Sequence, residues 1–427
     1  MAATGQLHHG GRPPQYGRYS GESVRDAVEI PPRCITDHSG CRLRAHGRSF
    51  QARRKALTMS RVVHVVEATA TGTLTMVCAA ANLSAARGLN VHVIYSRRPE
   101  TPHNVATLFH QDIRLHELPM GGPNALRAIW SLREKIVRLG PDIVHLHSSF
   151  AGFIGRLATF GILPKAKIFY SPHCISVMRQ DIGGKRFIFA ALERLANIRR
   201  CTYLACSMSE KNEILRWTGA NAKLLENAVE SVSTVESIDA TPRNGPIKIV
   251  TAGGVRLQKG PEEFATIARA CLEEGIDAEF KWIGDGELKA VDKLADSGVS
   301  ITGWLPKTDV YAELKAADIY LSTARWEGLP VSIIEAMTSN TLVIASRCAG
   351  NVDVIDHERT GLLYSNPREA KEFIQSIIND SFDFNRIKRA ANIEAKTRFS
   401  LTAFDKRLHE LYGIPLKSDK TADHNEH

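Results

Sequence analysis

The chain has 427 residues, of which 43% are hydrophobic and 24% charged. That composition excludes a disordered or collagen-like polymer, and the length exceeds what one hydrophobic core fills, so two domains flanking a cleft are expected. The net charge of +9 is split into +6 over residues 1–58, +9 over 59–230 and −6 over 231–427, which argues against a chain that wraps nucleic acid along its whole length.

Residues 1–58 are rich in Gly, Pro, His and Arg, show neither strand nor helix periodicity, and lack the apolar core of a secretion signal. They read as a disordered leader or as translation from a start upstream of Met59. Beyond them, apolar or β-branched runs at 62–66, 91–95, 143–147, 168–171 and 202–206 alternate with amphipathic stretches at 74–87, 125–139, 150–160, 185–198 and 209–217. Such alternation predicts parallel strands joined by right-handed helical crossovers, a Rossmann-like first domain over 59–230. The polar, turn-rich 231–246 is the expected linker.

A second alternation follows, with strands predicted at 247–252, 280–283, 319–322 and 342–345. Helices are predicted at 262–274, 310–316, 331–339, 368–378 and 384–397, giving a second Rossmann-like domain over 247–400. The fold class is therefore α/β, two doubly wound domains with a cleft at the carboxyl ends of both sheets. Residues 401–413 form an amphipathic helix expected to cross back to the first domain, and 414–427 a disordered tail. The eight cysteines include no C-x-x-C pair, so neither a metal site nor a disulfide framework is expected. The best apolar run, 150–163, is interrupted by Arg156 and too short to span a bilayer, so membrane contact is expected to be peripheral.

The stretch richest in chemistry is 324–337, ARWEGLPVSIIEAM, which follows a predicted strand and opens a helix. Gly328 permits a tight turn and Pro330 suits a helix start, so free backbone N–H groups and the positive helix end face the cleft as an anion site. Glu327 lies before the helix and Glu335 about one turn inside it. Two carboxylates beside an anion site suit sugar hydroxyls, which donate to a charged acceptor. The plainer reading makes Glu327 a helix cap and Glu335 a solvated surface acid.

The E-x7-E pattern with E-G-L-P resembles the retaining glycosyltransferases of family 4, which have the two-domain GT-B fold and use nucleotide-sugar donors. The resemblance runs from about Arg61 to Tyr412 and includes GGVRLQKGP (253–261), WIGDG (282–286), TGWLP (302–306) and TGLL (360–363). It implies Glu327 near the hydroxyls of the donor sugar, Glu335 at the ribose, and backbone amides of Gly328 and Leu329 at the diphosphate. It also implies Gly254, Gly284 and Leu305 on the donor side. Lys259 matches the family's diphosphate-binding lysine, which neutralises charge growing on the leaving group. Family members carry an arginine five residues before that lysine. Here the position is Gly254, and either Arg256 supplies the second charge or the site runs with one cation.

In the first domain, Gly72 stands where the family has its glycine-rich loop, and His173 matches its active-site histidine, which hydrogen-bonds the transferred sugar. His145 and His147 alternate on one strand, and at least one of them is expected to be a packed core histidine. The segments at 142–158 and 170–179 look like bacterial enzymes of surface polysaccharide assembly. The basic amphipathic stretch 185–200 either lies against an anionic membrane or lipid diphosphate, or is an ordinary helix with a basic outer face.

These readings imply a cytoplasmic hexosyltransferase, peripheral on the inner face of the membrane. Its donor is a UDP- or GDP-linked sugar, its acceptor a saccharide or polyprenyl-diphosphate-linked, and no metal, cofactor or nucleic acid is expected. A nucleotide-sugar 2-epimerase, which shares the bilobed fold, and a non-catalytic nucleotide-sugar-binding subunit are the alternatives.

Overall fold

The structure, a computed structural model, describes residues 60–69, 71–121, 125–230, 245–379 and 383–415. The expected leader at 1–58, most of the 231–246 linker and nearly all of the 414–427 tail lie outside the described residues.

The first sheet is parallel and seven-stranded, with strands β1 (Arg61–Val66), β2 (Asn90–Tyr95), β3 (Arg114–Glu117), β4 (Ile143–His147), β5 (Lys167–Ser171), β6 (Thr202–Ala205) and β7 (Lys223–Leu224) in the order β3-β2-β1-β4-β5-β6-β7. Helices α1 (Thr71–Ala86), α2 (Ala125–Leu139), α3 (Ser149–Thr159), α4 (Lys185–Ala196) and α5 (Met208–Thr218) connect and flank these strands. Every residue of β4 is buried, so its two histidines lie inside the core with the apolar residues between them, as in a central strand covered on both faces.

The second sheet runs β10-β9-β8-β11-β12-β13, again parallel, with β8 (Ile247–Ala252), β9 (Ala278–Ile283), β10 (Val299–Ile301), β11 (Ile319–Ser322), β12 (Leu342–Ser346) and β13 (Leu362–Tyr364). Its helices are α6 (Pro261–Glu273), α7 (Leu288–Ala295), α8 (Lys307–Ala316), α9 (Val331–Thr338), α10 (Asn351–Val354), α11 (Pro367–Ile378) and α12 (Phe384–Arg398). A final helix, α13 (Leu401–Tyr412), returns to the first domain, where Phe404, Leu408 and Tyr412 pack with Val62, Met76, Ile143 and Phe169. Each such fully buried side chain contributes roughly 1.5–3 kcal/mol. Arg87 and Asp405 form an ion pair beside that contact.

Four strands and two helices go beyond the sequence expectation. Strand β3, RLHE, is a half-exposed edge, and β7, β10 and β13 have only two or three residues. Runs that short carry no readable period. Helix α10, of four residues, escaped for the same reason, whereas the eight residues of α7 do carry a helical period that the sequence reading missed.

Candidate active site

The carboxyl ends of β8, β9 and β11 deliver the second domain's side of the cleft. After β8 the chain makes a Gly253-Gly254 turn and a short 3-10 segment (Leu257–Lys259) before α6. The Lys259 side chain folds back over Gly253, where a Cβ would come within 3.1 Å of its Cε. Gly284, after β9, has φ +140, and a Cβ there would meet the Gly253 carbonyl oxygen at 2.2 Å. Both the dihedral and the close approach require glycine, and the contact brings the two turns together.

Glu327 precedes α9 and pairs with Lys259, Nζ to Oε1, at 2.8 Å. Gln258 Nε2 donates to the other oxygen of the carboxylate at 3.2 Å. Burial opposes the charge of Lys259, but Glu327 and Tyr320 outweigh it and hold the ammonium above its ordinary pKa. Gly328 passes so near the first domain that a Cβ would lie 2.8 Å from the Cys174 amide nitrogen. The Leu329 carbonyl accepts from Asn227 Nδ2 at 2.7 Å, so the loop before α9 is anchored across the cleft. Glu335, on α9, is pushed up to a pKa of about 7 by burial, against the opposing pull of Lys307 and Lys259.

The position of the missing arginine is open. A Cβ on Gly254 would have as its nearest neighbours Trp304 Cη2 at 3.5 Å, the Asp285 carbonyl at 3.8 Å and Arg256 Cδ at 3.9 Å, all ordinary van der Waals contacts. The Arg256 side chain therefore runs past Gly254, and its charge is felt at Lys259.

The first domain contributes His173, two residues beyond β5, with φ 53, followed by Cys174 with φ 83. Two consecutive non-glycine residues in the left-handed region are costly and persist only when their surroundings hold them. Glu210 does so. Its buried carboxylate accepts from the amides of Cys174 at 2.7 Å, Ile175 at 2.8 Å and Cys206 at 2.8 Å. Burial raises its pKa, and the three amides pull the other way. Sequence reasoning missed this residue, although the Ser207-x-x-Glu210 spacing at the start of α5 is a capping-box signature. Ser207 Oγ indeed accepts from the Glu210 amide at 3.0 Å.

Behind His173 lie three more imidazoles. His147 Nδ1 is 3.1 Å from His173 Nε2, and His64 Nδ1 is 3.0 Å from His147 Nε2. His145 bonds Tyr412 at 2.7 Å and Ser171 at 2.9 Å, which makes it the packed core histidine. The buried ligand atoms of His64, His145 and His147 lie within 4.8 Å of one another, a grouping that could hold a metal ion. Both nitrogens of His145 and of His147 already have partners, however, so among the described residues His64 Nε2 is the one unpartnered nitrogen of the three rings.

His173, Lys259, Glu327, Gly72, Gly254, Arg256, Gly284, Leu305, Gly328, Leu329 and Glu335 all line one cleft of about 1520 Å³. That volume exceeds a single small-molecule site and leaves room for two substrates. Beside its first-domain wall, α4 exposes Phe187, Ile188 and Leu195, and its Leu192 lines the cleft. No helix among the described residues is long and apolar enough to cross a membrane.

Known proteins resemble this chain in both halves. The Glycosyltransferase Family 4 model matches residues 70–230, and the Glycosyl transferases group 1 model matches 246–380. An uncharacterized 41.2 kDa protein in the cps region of Klebsiella pneumoniae is 25% identical over 358 residues, spanning 79% of this chain and 95% of that one. The Escherichia coli UDP-Gal:alpha-D-GlcNAc-diphosphoundecaprenol alpha-1,3-galactosyltransferase is 25% identical over 281 residues, spanning 60% and 71%. Among solved structures, Anabaena Alr3699/HepE in complex with UDP and glucose matches with a TM-score of 0.68 at 15% identity, covering 83% of this chain and 99% of its own. The shared fold is GT-B.

Proposed function

We infer the reaction from a premise that both domains supply: the chain is a glycosyltransferase with a GT-B fold, matched by a glycosyltransferase model in each half. The proposed reaction moves a hexose from a nucleotide diphosphate, UDP before GDP, to a saccharide carried on a polyprenyl diphosphate, with the anomeric configuration kept, in polysaccharide assembly. The observation that carries it is the Lys259–Glu327 pair at the mouth of α9, with Glu335 deeper on the same helix and His173 facing them.

In the proposed complex the diphosphate lies between Lys259 and the free amides before and within the first turn of α9. The ammonium and the helix dipole oppose the negative charge that builds there as the sugar's C1–O bond breaks. Glu327 keeps Lys259 in place and offers its remaining lone pairs to the hexose hydroxyls. Glu335, once ionised, accepts from the ribose hydroxyls. Lys259, Arg256 and the helix N-terminus are proposed to carry the charge compensation without a metal ion. A UDP-linked donor and a lipid diphosphate acceptor are supported by the Escherichia coli relative's reaction and by the UDP in the Anabaena structure.

The exposed Phe187, Ile188 and Leu195 on α4, interspersed with Lys185, Arg186 and Arg194, suit docking on the anionic cytoplasmic leaflet beside a lipid-linked acceptor. A thermal-shift screen of UDP- and GDP-sugars tests the donor class, since a ligand at 100 times its Kd stabilises by about 2.7 kcal/mol. UDP-sugars are expected to raise Tm in the presence of EDTA. A shift that appears only with added divalent metal, or no shift with any nucleotide sugar, would overturn this reading.

A further inference from the structure

We propose that His147 and His64 are positioning residues that fix the tautomer of His173, so that His173 presents an N–H at Nδ1 to the transferred sugar. This rests on the reading above only in naming the sugar as the group His173 faces.

The sheet register builds the array. His64 on β1 lies opposite His145 on β4, and His147, two residues further along β4, lies opposite Ser171 on β5, two residues before His173. Three adjacent strands thus bring His64, His147 and His173 into line. The His147 and His173 rings lie end to end, 9° from parallel with centroids 5.4 Å apart. Neighbouring His64 and His147 rings are 26° apart with centroids at 5.3 Å. Each link joins an Nδ1 to an Nε2, and His147 uses both of its nitrogens.

Burial holds all three rings neutral at physiological pH. His64 is lowered to about 3 and His173 to about 4, and His147 is also well below its ordinary value, its neighbouring imidazoles adding to the effect of burial. A neutral imidazole has one N–H and one lone pair. The two links must therefore point the same way, and only two arrangements exist.

If His173 donates from Nε2 to His147, then His147 donates to His64, and the His64 proton sits on Nε2. That atom is buried and has no hydrogen-bond partner among the described residues. If instead His64 donates from Nδ1 to His147, and His147 from Nδ1 to His173, the unpartnered atom is a bare lone pair. Among backbone groups an orphaned buried N–H is rarer than an under-satisfied acceptor, and on that ground we take the second arrangement. Its consequence is chemical. The Nε2 lone pair of His173 is occupied, and the nitrogen left for a ligand in the cleft, Nδ1, carries the proton. His173 then donates to a sugar oxygen, whereas the opposite polarity would make it an acceptor.

The test uses the full chain labelled with ¹⁵N-histidine, with the His173 signals assigned by their loss in His173→Gln. Long-range ¹H–¹⁵N correlation on the free protein should show His173 protonated on Nδ1 and bare at Nε2. In His147→Leu the ring is expected to move to the Nε2–H form, while kcat falls about tenfold, the effect of one misdirected hydrogen bond, with the Kd for UDP within about twofold. His147→Asn keeps an N–H close to the Nδ1 position and should recover both the tautomer and most of the lost turnover. His64→Leu should give the same change in weaker form.

A wild-type His173 protonated on Nε2 overturns the proposal. So does a His147→Leu protein that loses turnover with its His173 tautomer unchanged, or a His147→Asn protein as impaired as His147→Leu. Because the spectrum is read on the free protein, the predicted tautomer in a chain that transfers no sugar would sink the reaction assigned above and leave the positioning intact.

Discussion

The two walls of the cleft hold their polar groups by opposite means. On the second domain, charges face charges: Lys259 pairs with Glu327, Arg256 runs past Gly254, and Glu335 on α9 feels the charge of Lys307 at the start of α8. On the first domain the histidines are neutral, although Glu67, Arg98, Arg179 and Asp181 also line that wall. A line of imidazoles ends at His173, and a buried carboxylate, Glu210, spends its lone pairs on three backbone amides. The charged wall suits a ligand whose charge changes during reaction, such as a diphosphate. The neutral wall suits a hexose, which needs orientation more than compensation.

The sharpest way to break this contrast is Lys259→Ala, which removes the central cation of the charged wall. Loss of one preorganised donor of this kind costs on the order of 10²-fold to 10³-fold in turnover. Turnover should fall by that amount on protein shown to be folded at the assay temperature, with Tm lowered because the buried Glu327 carboxylate loses its cation. An effect below tenfold would show that the charged wall does not stabilise the leaving group. On the neutral wall, Glu210→Ala strands three buried amides at roughly 1–3 kcal/mol each. The expected result is a fall in Tm together with loss of the His173 geometry, detectable by chemical denaturation; an unchanged unfolding midpoint would sink that role.

The two acids of the charged wall should separate. Glu327→Gln is expected to lower kcat with donor affinity nearly kept, and Glu335→Ala to weaken nucleotide binding with kcat at saturation nearly kept. Equal changes in both parameters at both positions would contradict the division. For the second cation, Arg256→Ala should cost about tenfold, or about 1.4 kcal/mol. Gly254→Arg should restore part of that, since its backbone φ and open surroundings admit a side chain. Wild-type turnover in Arg256→Ala would leave Lys259 working with backbone amides alone.

The smallest effect is that of pH. Glu335 has a pKa of about 7, and its neutral form is a poorer acceptor for ribose hydroxyls. Donor affinity should therefore weaken as pH falls through 7, by at most about tenfold between pH 8 and pH 6. The same titration on Glu335→Gln should be flat, and a wild-type curve equally flat would remove Glu335 from the ribose.

The contrast also explains what could be read in advance. The charged wall is written in two contiguous stretches, 253–261 and 324–337, which hold the turn glycines Gly253, Gly254 and Gly328, the helix start at Pro330 and the acids Glu327 and Glu335, all of them lining the cleft. The neutral wall is assembled across sequence gaps. His64 meets His147 at a separation of 83 residues, His147 meets His173 at 26, and Glu210 reaches Cys174 at 36. Such partners become visible only once the strand register is known. His173 itself was legible through family resemblance, but nothing local announced what holds it. The central strands β1, β4, β8 and β11 were legible because burial on both faces makes them rich in apolar and β-branched residues. The short edges β3, β7, β10 and β13 lack that burial or that length.

The central claim is that the charged wall carries a nucleotide diphosphate away from a hexose that the neutral wall holds for transfer. Its most direct test is to incubate the protein with a UDP-α-hexose and a polyprenyl-diphosphate saccharide in EDTA and to follow the anomeric proton of the product by NMR. The account predicts an α-linked product with one UDP released per linkage formed. A β-linked product, or conversion of the donor to its epimer without acceptor, would contradict it.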